Sequence, residues 1–262
     1  MRRVTWVNRA GRELGPPLSG VAALVALWAI VAAVTTSRAI PSPLSAWDAL
    51  RSGVADGTIP TAAGRTLLRL AFSFAVAIVL GTVLGFLLTL EEFARRSIRP
   101  IVVALQILPP IAWFPLAVVW FGFTERAVVF VAIVGAFPAI TLAVVSSFRQ
   151  VPPLLIRAAR TLGADGWKLY RNVIFPAALP GYIGGLQLAW GFAWKALLAG
   201  ELINRAAHAA GLGQLLSRSQ NDVPTLLAAI AIVVLIGVAV DYLVFGLIDR
   251  RVRGRRGLLL ES

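Results

Sequence analysis

The sequence contains no cysteine and only one histidine, His208, among its 262 residues. The lack of cysteine excludes disulfide frameworks, thiolate metal sites and cysteine nucleophiles. One histidine is too few for a histidine-built metal site or a histidine-centred catalytic triad. The sequence also lacks the nucleophile motif G-x-S-x-G and the phosphate-binding motif G-x-x-x-x-G-K-S/T. The chain is therefore not expected to be an enzyme, and no catalytic residue, metal site or cofactor is assigned to it.

Charged residues are scarce as well, at 14% of the chain, against about 25% in an average soluble domain. Apolar residues make up 58%, which is more than a soluble protein of this length can bury. The net charge of +13 would suit a nucleic-acid partner if the protein were soluble. The charges, however, lie in short clusters between long uncharged runs. This pattern is typical of a protein that crosses a membrane several times, so lipid and not nucleic acid is expected around it.

Six apolar stretches are long enough, or nearly so, for the roughly 20-residue helix that crosses a bilayer. They span residues 20–36, 70–90, 101–123, 127–148, 181–203 and 225–248. Such runs satisfy their backbone hydrogen bonds as helices, and the alternation typical of barrel strands is not seen. The sequence therefore predicts an all-α, polytopic membrane protein with six transmembrane helices. A short interfacial helix is expected at 44–54.

The first apolar stretch is interpreted as a retained helix, since about 19 residues precede it and no A-x-A cleavage site follows. The chain then divides into a cytoplasmic N-terminal segment (1–19), a membrane domain (20–248) and a basic cytoplasmic tail (249–262). With the N-terminus in the cytoplasm, the inner segments hold 17 Lys and Arg residues and the outer segments hold 7. This asymmetry supports six spans with both termini in the cytoplasm, because an odd number would place the arginines of the tail outside.

The third apolar stretch carries three prolines, Pro109, Pro110 and Pro115. Each proline removes a backbone donor and clashes with the preceding turn, so the helix is expected to kink or break. In a bilayer, a break persists only where protein or a water-filled cavity satisfies the freed carbonyl groups. One interpretation is a movable helix that lines a pathway near Gln106 and Trp113, and the other is a static kink.

Two pairs of glycines lie one helical turn apart, at Gly81 and Gly85 and at Gly181 and Gly185. Small residues at this spacing let two membrane helices approach closely. We interpret both pairs as packing sites within one subunit.

Three charged residues lie in or near the last two stretches: Lys195, Glu201 and Asp241. A charge at the bilayer centre costs roughly 2.5–3.5 kcal/mol even on a lenient scale, so these side chains are expected to face a cavity, the bundle interior or an interface. Lys195 and Glu201 are about 120° apart around a helix and are not expected to pair with each other. Both are assigned to a translocation pathway, with Lys195 as a contact for an anion. The alternative for Lys195 is a structural ion pair with Asp241.

The longest inner loop, residues 151–180, has the pattern of a small helical hairpin. A helix is expected after Pro152-Pro153, with a break at Gly163 and a second short helix at 165–175, closed by Pro176 and Pro180. One face of the first helix carries apolar residues at helical spacing, namely Leu154, Leu155, Ala158, Ala159 and Leu162. This ridge would fit the groove of another protein, and the alternative is a connector that lies on the membrane surface.

The loop resembles the EAA loop of ABC importer permeases, through Ala158-Ala-Arg-Thr-Leu-Gly-Ala164 and Val173-Ile-Phe-Pro-Ala-Ala-Leu-Pro180. Two further runs resemble the nitrate, sulfonate and taurine branch of these permeases: Leu108-Pro-Pro-Ile-Ala-Trp-Phe-Pro and Phe192-Ala-Trp-Lys-Ala-Leu-Leu-Ala-Gly-Glu. The resemblance covers about residues 66–250. It departs from the family at Arg157, where the family usually has Glu.

The resemblance implies a permease subunit in a bacterial inner membrane, with a cytoplasmic coupling helix between the fourth and fifth spans. Two permease copies, expected to be identical, would form the pathway, and two cytoplasmic ATPase subunits would bind ATP and Mg. An extracytoplasmic binding protein would deliver a small anion such as nitrate, bicarbonate, a sulfonate or taurine. The implied coupling residues are Ala158, Ala159, Leu162, Gly163 and Ala164. The pathway residues, assigned from the prolines and the polar and charged side chains in the spans, are Gln106, Pro109, Pro110, Trp113, Lys195 and Glu201.

Two alternatives to this function remain at the level of the sequence. One is an ABC permease for a solute that is not an anion, such as a vitamin precursor. The other is a stand-alone secondary transporter, which would need no ATPase. Many secondary transporters contain inverted repeats, and no repeat is visible in the six stretches.

Overall fold

The structure, a computed structural model, describes residues 6–35, 40–204 and 210–254. His208 lies outside this part of the chain, as do the first five residues and the tail from residue 255 onward. The described residues form helices and connecting turns without any strand, which confirms the all-α prediction. The helices are α1 (Trp6–Val34), α2 (Pro43–Ala55), α3 (Thr58–Leu90), α4 (Glu92–Ile107), α5 (Phe114–Phe121), α6 (Glu125–Arg149), α7 (Pro153–Thr161), α8 (Gly166–Leu169), α9 (Phe175–Ile203), α10 (Leu212–Arg218), α11 (Val223–Val240) and α12 (Gly246–Gly254).

Four helical units of the described chain are long and apolar enough to cross a membrane. They are α3, α6, the continuous unit of α8 and α9 (Gly166–Ile203) and the unit of α11 and α12 (Val223–Val252). These units correspond to the second, fourth, fifth and sixth apolar stretches of the sequence. In α1 the apolar part is shorter, at Ser19–Val34. The expected interfacial helix is present as α2.

The third apolar stretch is not one helix. The chain axis turns by 98° between α4 and the segment Pro110–Phe121, so a bent pair of helices replaces one continuous helix over 101–123. The break occurs where the sequence indicated, at Leu108 and Pro109, which have extended ψ angles of 124° and 131°. A residue that precedes a proline avoids the helical region, and a proline cannot donate to the helix. Pro115 causes no kink, because it lies in the first turn of α5, where N–H groups are unpaired anyway.

Helix α6 is the centre of the bundle. In its most apolar window 67% of the residues are buried, and it packs against α3 on one side and α9 on the other. A Cβ atom built on Gly85 of α3 would lie 2.6 Å from Val144 Cβ, which is closer than real Cβ contacts. Gly81 on α3, together with Gly181 and Gly185 on α9, approaches α6 in the same manner. Both glycine pairs therefore pack within one subunit, as predicted.

The bundle has two ends, which we name after the short helices found there. At the α7 end, α6 ends at Arg149 and α9 begins at Phe175. At the α10 end, α6 begins at Glu125 and α9 ends at Ile203. The candidate functional features lie at these two ends and at a cavity between the long helices.

The loop at the α7 end contains the predicted short helix, α7, followed by a turn at Gly163 with a φ angle of 80°. Glycine adopts this left-handed conformation without the strain that a Cβ atom would cause. Helix α8 then continues through a π turn, Tyr170–Ile174, directly into α9. The prediction that Pro176 and Pro180 close the loop is therefore wrong. Pro176 lies in the first turn of α9 directly after the π turn, whose wider spacing accommodates a proline ring better than a regular helical turn does.

Candidate functional site

A cavity of about 700 Å³ lies between α4, α6 and α9. Glycine and apolar residues of α9 form one wall, and polar side chains of α4 and α6 form much of the rest. No acidic residue of the described chain lines it. The lining includes Arg99, Gln106, Ser146, Arg149, Gln150, Gly184, Leu188 and Phe192. Gln106, which the sequence assigned to a pathway, therefore lies at this cavity.

Lys195 lies on the same face of α9, about one turn beyond Phe192 towards the α10 end. At 100° per residue, positions 188, 192 and 195 point in directions within about 60° of one another. The Lys195 side chain is exposed and forms no ion pair with any described residue. The alternative pair with Asp241 is not formed, because Asp241 instead accepts a hydrogen bond from Gln187 Nε2 at 2.9 Å. Lys195 is therefore an unpaired cation, within the described chain, beside the cavity.

The break in the third apolar stretch packs against α6 and α9 through Pro110. The Cγ atom of Pro110 lies 3.3 Å from a Cβ built on Gly135 of α6, and the same position meets Ala196 of α9. Pro109, by contrast, is exposed. The indole Nε1 of Trp113 is buried and has no hydrogen-bond partner among the described residues. An unpaired buried donor costs about 1–3 kcal/mol, so a partner from outside this chain would stabilise Trp113.

Glu201 is fully buried on a different face of α9. Arg69 Nη1 donates to its Oε1 at 2.7 Å, the Thr66 hydroxyl to its Oε2 at 2.9 Å, and the Gly213 N–H to its Oε2 at 3.0 Å. The sequence assigned Glu201 to the pathway together with Lys195, but the 120° between them turns Glu201 away from the cavity. A buried carboxylate needs a cation and hydrogen-bond donors, and α3 and the start of α10 supply them. In the described chain Glu201 therefore joins helices and does not line the cavity.

The network around this carboxylate reaches two further elements. Arg69 Nη2 also donates to Glu125 Oε1 at 2.8 Å, in the first turn of α6. The Leu212 N–H, at the start of α10, donates to the Thr66 hydroxyl at 2.8 Å. Four helices, α3, α6, α9 and α10, are thus fastened to one another at the α10 end.

Sequence reasoning missed Thr66, Arg69 and Glu125 as members of this network. Arg69 and Glu125 stand just before the second and fourth apolar stretches, and charges of opposite sign at the same end of two spans are a signal for pairing. The close approach of α10 to α9 also depends on Gly213. A Cβ on Gly213 would lie 2.6 Å from Glu201 Cβ, so a side chain there would collide with α9.

The loop at the α7 end presents an exposed apolar surface, which we call the α7 surface. It consists of Leu154, Leu155, Ala158, Leu162 and Trp167. Leu162 is 87% exposed and Trp167 is 65% exposed. The sequence placed Ala159 on the same face, but Ala159 is buried against a small core that includes Leu169 and Ile174, and Ala164 is half-buried there. The predicted face is therefore divided into an exposed part and a part that anchors α7.

Aromatic rings connect this loop to the long helices. The Phe175 ring, at the start of α9, lies 5.6 Å from Phe86 of α3 and 5.3 Å from Phe148 of α6, between ring centroids. On its other side it contacts Trp167 of α8 at 5.9 Å and Tyr170 of the π turn at 6.3 Å. The loop is thereby packed directly against three long helices, α3, α6 and α9.

Comparison with known proteins matches residues 77–254 to a family model described as binding-protein-dependent transport system inner membrane component. A putative ABC transporter permease protein of Methanocaldococcus jannaschii, MJ0413, is 37% identical over 171 residues, which span 64% of this chain but only 61% of that protein. The taurine transport system permease protein TauC of Escherichia coli is 28% identical over 244 residues, with 90% of this chain and 88% of TauC covered. The bicarbonate transport system permease protein CmpB of Synechococcus elongatus is 27% identical over 236 residues, with 86% and 84% covered.

Among solved structures, the MetNI methionine ABC transporter in an inward-facing conformation, in its CY5 native crystal form, matches the fold. The TM-score is 0.62 at 23% identity, with 74% of this chain and 95% of the matched chain covered. At this identity the likeness concerns the fold alone. The break in the third stretch and the central α6 thus occur in a chain whose overall helix arrangement is that of a known transporter subunit.

Proposed function

We propose that this chain, which belongs to the binding-protein-dependent transport system inner membrane component family, forms half of a membrane pathway for a small anion. The chain is the permease subunit of an ABC importer, a multi-pass inner membrane protein and not an enzyme. In this family ATP is handled by a separate ATPase subunit, and binding proteins take part in transport. Our proposal concerns the arrangement of the subunits, the coupling contact and the solute.

For the assembly, we propose two identical permease copies, two cytoplasmic ATPase subunits that bind ATP and Mg, and an extracytoplasmic binding protein. The α7 end faces the cytoplasm, since it carries the long basic loop, and both termini lie on the same side. The apolar part of α1 and the bent unit of α4 and α5 complete six spans. The exposed face of α9 supports the second copy, because Leu188 is 70% exposed there and Lys195 is unpaired.

For coupling, we propose that the α7 surface binds a groove of the ATPase. Exposed apolar side chains such as Leu162 lose their contact with water when a partner covers them. Gly163 sets the turn that holds α7 in place, while Ala159 and Ala164 anchor the helix from behind. Arg157 is exposed and basic at a position where the resembling family usually has an acid, so its contact with the ATPase differs in charge.

For the pathway, we propose that Gln106, Trp113 and Lys195 face the solute, while Pro109 and Pro110 shape the break beside them. The observation that carries this proposal is the unpaired Lys195 on the cavity face of α9. A cation in a cavity with low-dielectric walls attracts anions and repels cations. The solutes named for two relatives, taurine and bicarbonate, both carry negatively charged oxygen atoms. Nitrate, bicarbonate, a sulfonate and taurine are therefore the solutes that we propose.

The test is uptake into proteoliposomes that contain the permease, its ATPase and its binding protein. With labelled taurine and labelled bicarbonate as probes, Lys195→Gln should lower the uptake of the transported anion by about tenfold, an effect equivalent to one lost charge contact. Lys195→Arg, which keeps the charge, is the matched control and should retain uptake. Equal uptake by the wild type and Lys195→Gln, or uptake of a solute without an anionic group in place of taurine and bicarbonate, would contradict the anion proposal.

A further inference from the structure

We infer that the cavity between α4, α6 and α9 contains a second anion site at its α7 end, formed by Arg99 and Arg149. Its ligand is a small soluble oxyanion with a sulfonate, carboxylate or similar group. This inference rests on the proposed function, since it assigns a further binding site to the same pathway. It concerns residues that neither the sequence motifs nor the family resemblance singled out.

The arginines of α4 differ in their partners. Arg95 and Arg96 both pair with Glu92 in the first turn of the helix, Arg96 through Nε at 2.7 Å, and these contacts hold the pKa of Glu92 below its ordinary value of 4.5. Arg99, one turn further along, pairs with no described residue and lines the cavity instead. Arg95 and Arg96 thus share one carboxylate, whereas Arg99 has no acidic partner among the described residues.

Arg149 lines the same cavity as Arg99 and likewise pairs with no described residue. A helix C-terminus favours a basic side chain, which accounts for an arginine in the last turn of α6. That effect does not account for Arg99, which lies in the middle of α4. Two like charges that line one cavity repel each other, and an anion between them removes the repulsion.

The remaining polar groups of the lining suit an oxyanion as well. A guanidinium offers planar, paired N–H donors that match the oxygens of a carboxylate or sulfonate. The side-chain amides of Gln106 and Gln150 lie in the same lining, and neither forms a hydrogen bond with a described residue. Since no acid of the described chain lines the cavity, nothing there offsets the positive potential.

This site would receive the anion after it leaves Lys195 and would hold it before release at the α7 end. An anion that accumulates on that side would also enter the site and delay the next import cycle. Anion affinity at the α7 end is therefore a property separate from selection of the solute at Lys195.

The absence of cysteine allows a direct test. In Ser146→Cys, the new thiol lies in the same cavity lining as the two arginines. It should react with a negatively charged methanethiosulfonate, which is itself a sulfonate, about tenfold faster than with the trimethylammonium reagent of the same type. The assay uses the nucleotide-free complex of permease and ATPase in nanodiscs of phosphatidylcholine. Gln150→Cys, in the same lining, serves where Ser146→Cys does not assemble.

The preference for the negatively charged reagent should depend on the two arginines, and a soluble anion should reduce it. Adding Arg99→Gln or Arg149→Gln should lower the ratio of the two rates several-fold, and methanesulfonate should protect the thiol. Arg96→Gln is the matched control, since its arginine lies on the same helix but is paired with Glu92. A ratio near one, a ratio that Arg99→Gln and Arg149→Gln leave unchanged, or no reaction with either reagent would overturn the inference.

Two further measurements distinguish this site from a lipid-binding site and from the anion contact at Lys195. If phosphatidylglycerol added to the nanodiscs removes the preference, a lipid headgroup holds the arginines and the assignment to the pathway fails. Lys195→Gln should leave the ratio of the two rates at position 146 unchanged while it lowers anion uptake. The proposed function and the second site can therefore fail independently, because the first is read from uptake and the second from the ratio of reaction rates.

Discussion

The two ends of the bundle hold their charged residues in opposite ways. At the α10 end, Glu201 is fully buried and is bound by Arg69, Thr66 and the backbone at Gly213. At the α7 end, Glu92 is exposed, and the surface around the loop carries apolar side chains that nothing in the described chain covers. The charged network at the α10 end closes among the described residues, whereas we propose that a partner covers the α7 surface. The difference predicts that substitutions at the α10 end affect stability, whereas those at the α7 end affect assembly and coupling.

The largest effect is expected for Glu201→Ala. It removes the buried carboxylate that pairs with the Arg69 guanidinium, and loss of one member of a buried pair costs about 3–5 kcal/mol. The thermal midpoint of the detergent-solubilised permease should fall markedly. Glu125→Gln is the control and should have little effect, since Glu125 is 60% exposed and exposed pairs contribute about 0–1 kcal/mol. Equal midpoints for Glu201→Ala and the wild type would remove the distinction between the two ends.

The next effect is expected at the α7 surface. Leu162→Asp should reduce co-purification of the ATPase by about tenfold, because it places a charge in the apolar contact that we propose. The thermal midpoint of the permease alone should stay the same, since Leu162 is 87% exposed. Asn172→Asp adds the same charge at an exposed position outside the α7 surface and should leave co-purification intact. Loss of the ATPase in both variants would show that charge alone, and not the apolar surface, decides binding.

A smaller effect is expected for Gly163→Val. The φ angle of 80° at this turn strains a β-branched residue by about 1–3 kcal/mol, so α7 should be held less firmly. Transport and transport-coupled ATP hydrolysis should fall several-fold while the protein still inserts in the membrane. Gly163→Asn is the matched control, because Asn tolerates the left-handed conformation. Wild-type transport rates in Gly163→Val would contradict the role of this turn in coupling.

The smallest effect is expected for Glu92→Gln, the exposed counterpart of Glu201→Ala. Arg95 and Arg96 hold the pKa of Glu92 below 4.5 in the folded state, so the pair stabilises the fold above that pH and loses its effect as the pH falls through the lowered pKa. Any difference in thermal midpoint between the wild type and Glu92→Gln should therefore be slight at neutral pH and absent in strong acid. A large difference at neutral pH would mean that the two ends are stabilised alike.

The long helices and the break between them could be predicted from the sequence. Uncharged runs identify α3, α6, α9 and α11, and Pro109 and Pro110 place the bend, because both features act within a few residues. The path of the chain after the break could not be predicted, since the 98° turn is set by packing of Pro110 against Gly135 and α9. The stop expected at Pro176 failed for a similar reason, because the preceding π turn accommodates that proline.

The residues of the candidate site were likewise predicted only in part. Lys195 and Gln106 were recognised as polar residues in apolar runs, and the structure places both at or beside one cavity. The direction of Glu201 could not be read from its spacing alone, because its partners Thr66 and Arg69 are more than 130 residues away in sequence. The unpaired Arg99 was not recognised either, although the acid that distinguishes its neighbours, Glu92, is close to them in sequence. Its neighbours Arg95 and Arg96 look equivalent to it until their pairing with Glu92 is seen.

The central claim is that the cavity face of α4, α6 and α9, with the break beside it, is a pathway that opens and closes with the ATPase cycle. Its most direct test is the reactivity of Trp113→Cys towards a water-soluble thiol reagent in the assembled importer, with and without bound nucleotide. Ala193→Cys, at a fully buried position of α9, is the control and should stay unreactive in both states. We predict that the thiol at position 113 reacts in one nucleotide state and is protected in the other. A thiol that reacts in neither state, or equally in both, would contradict the claim.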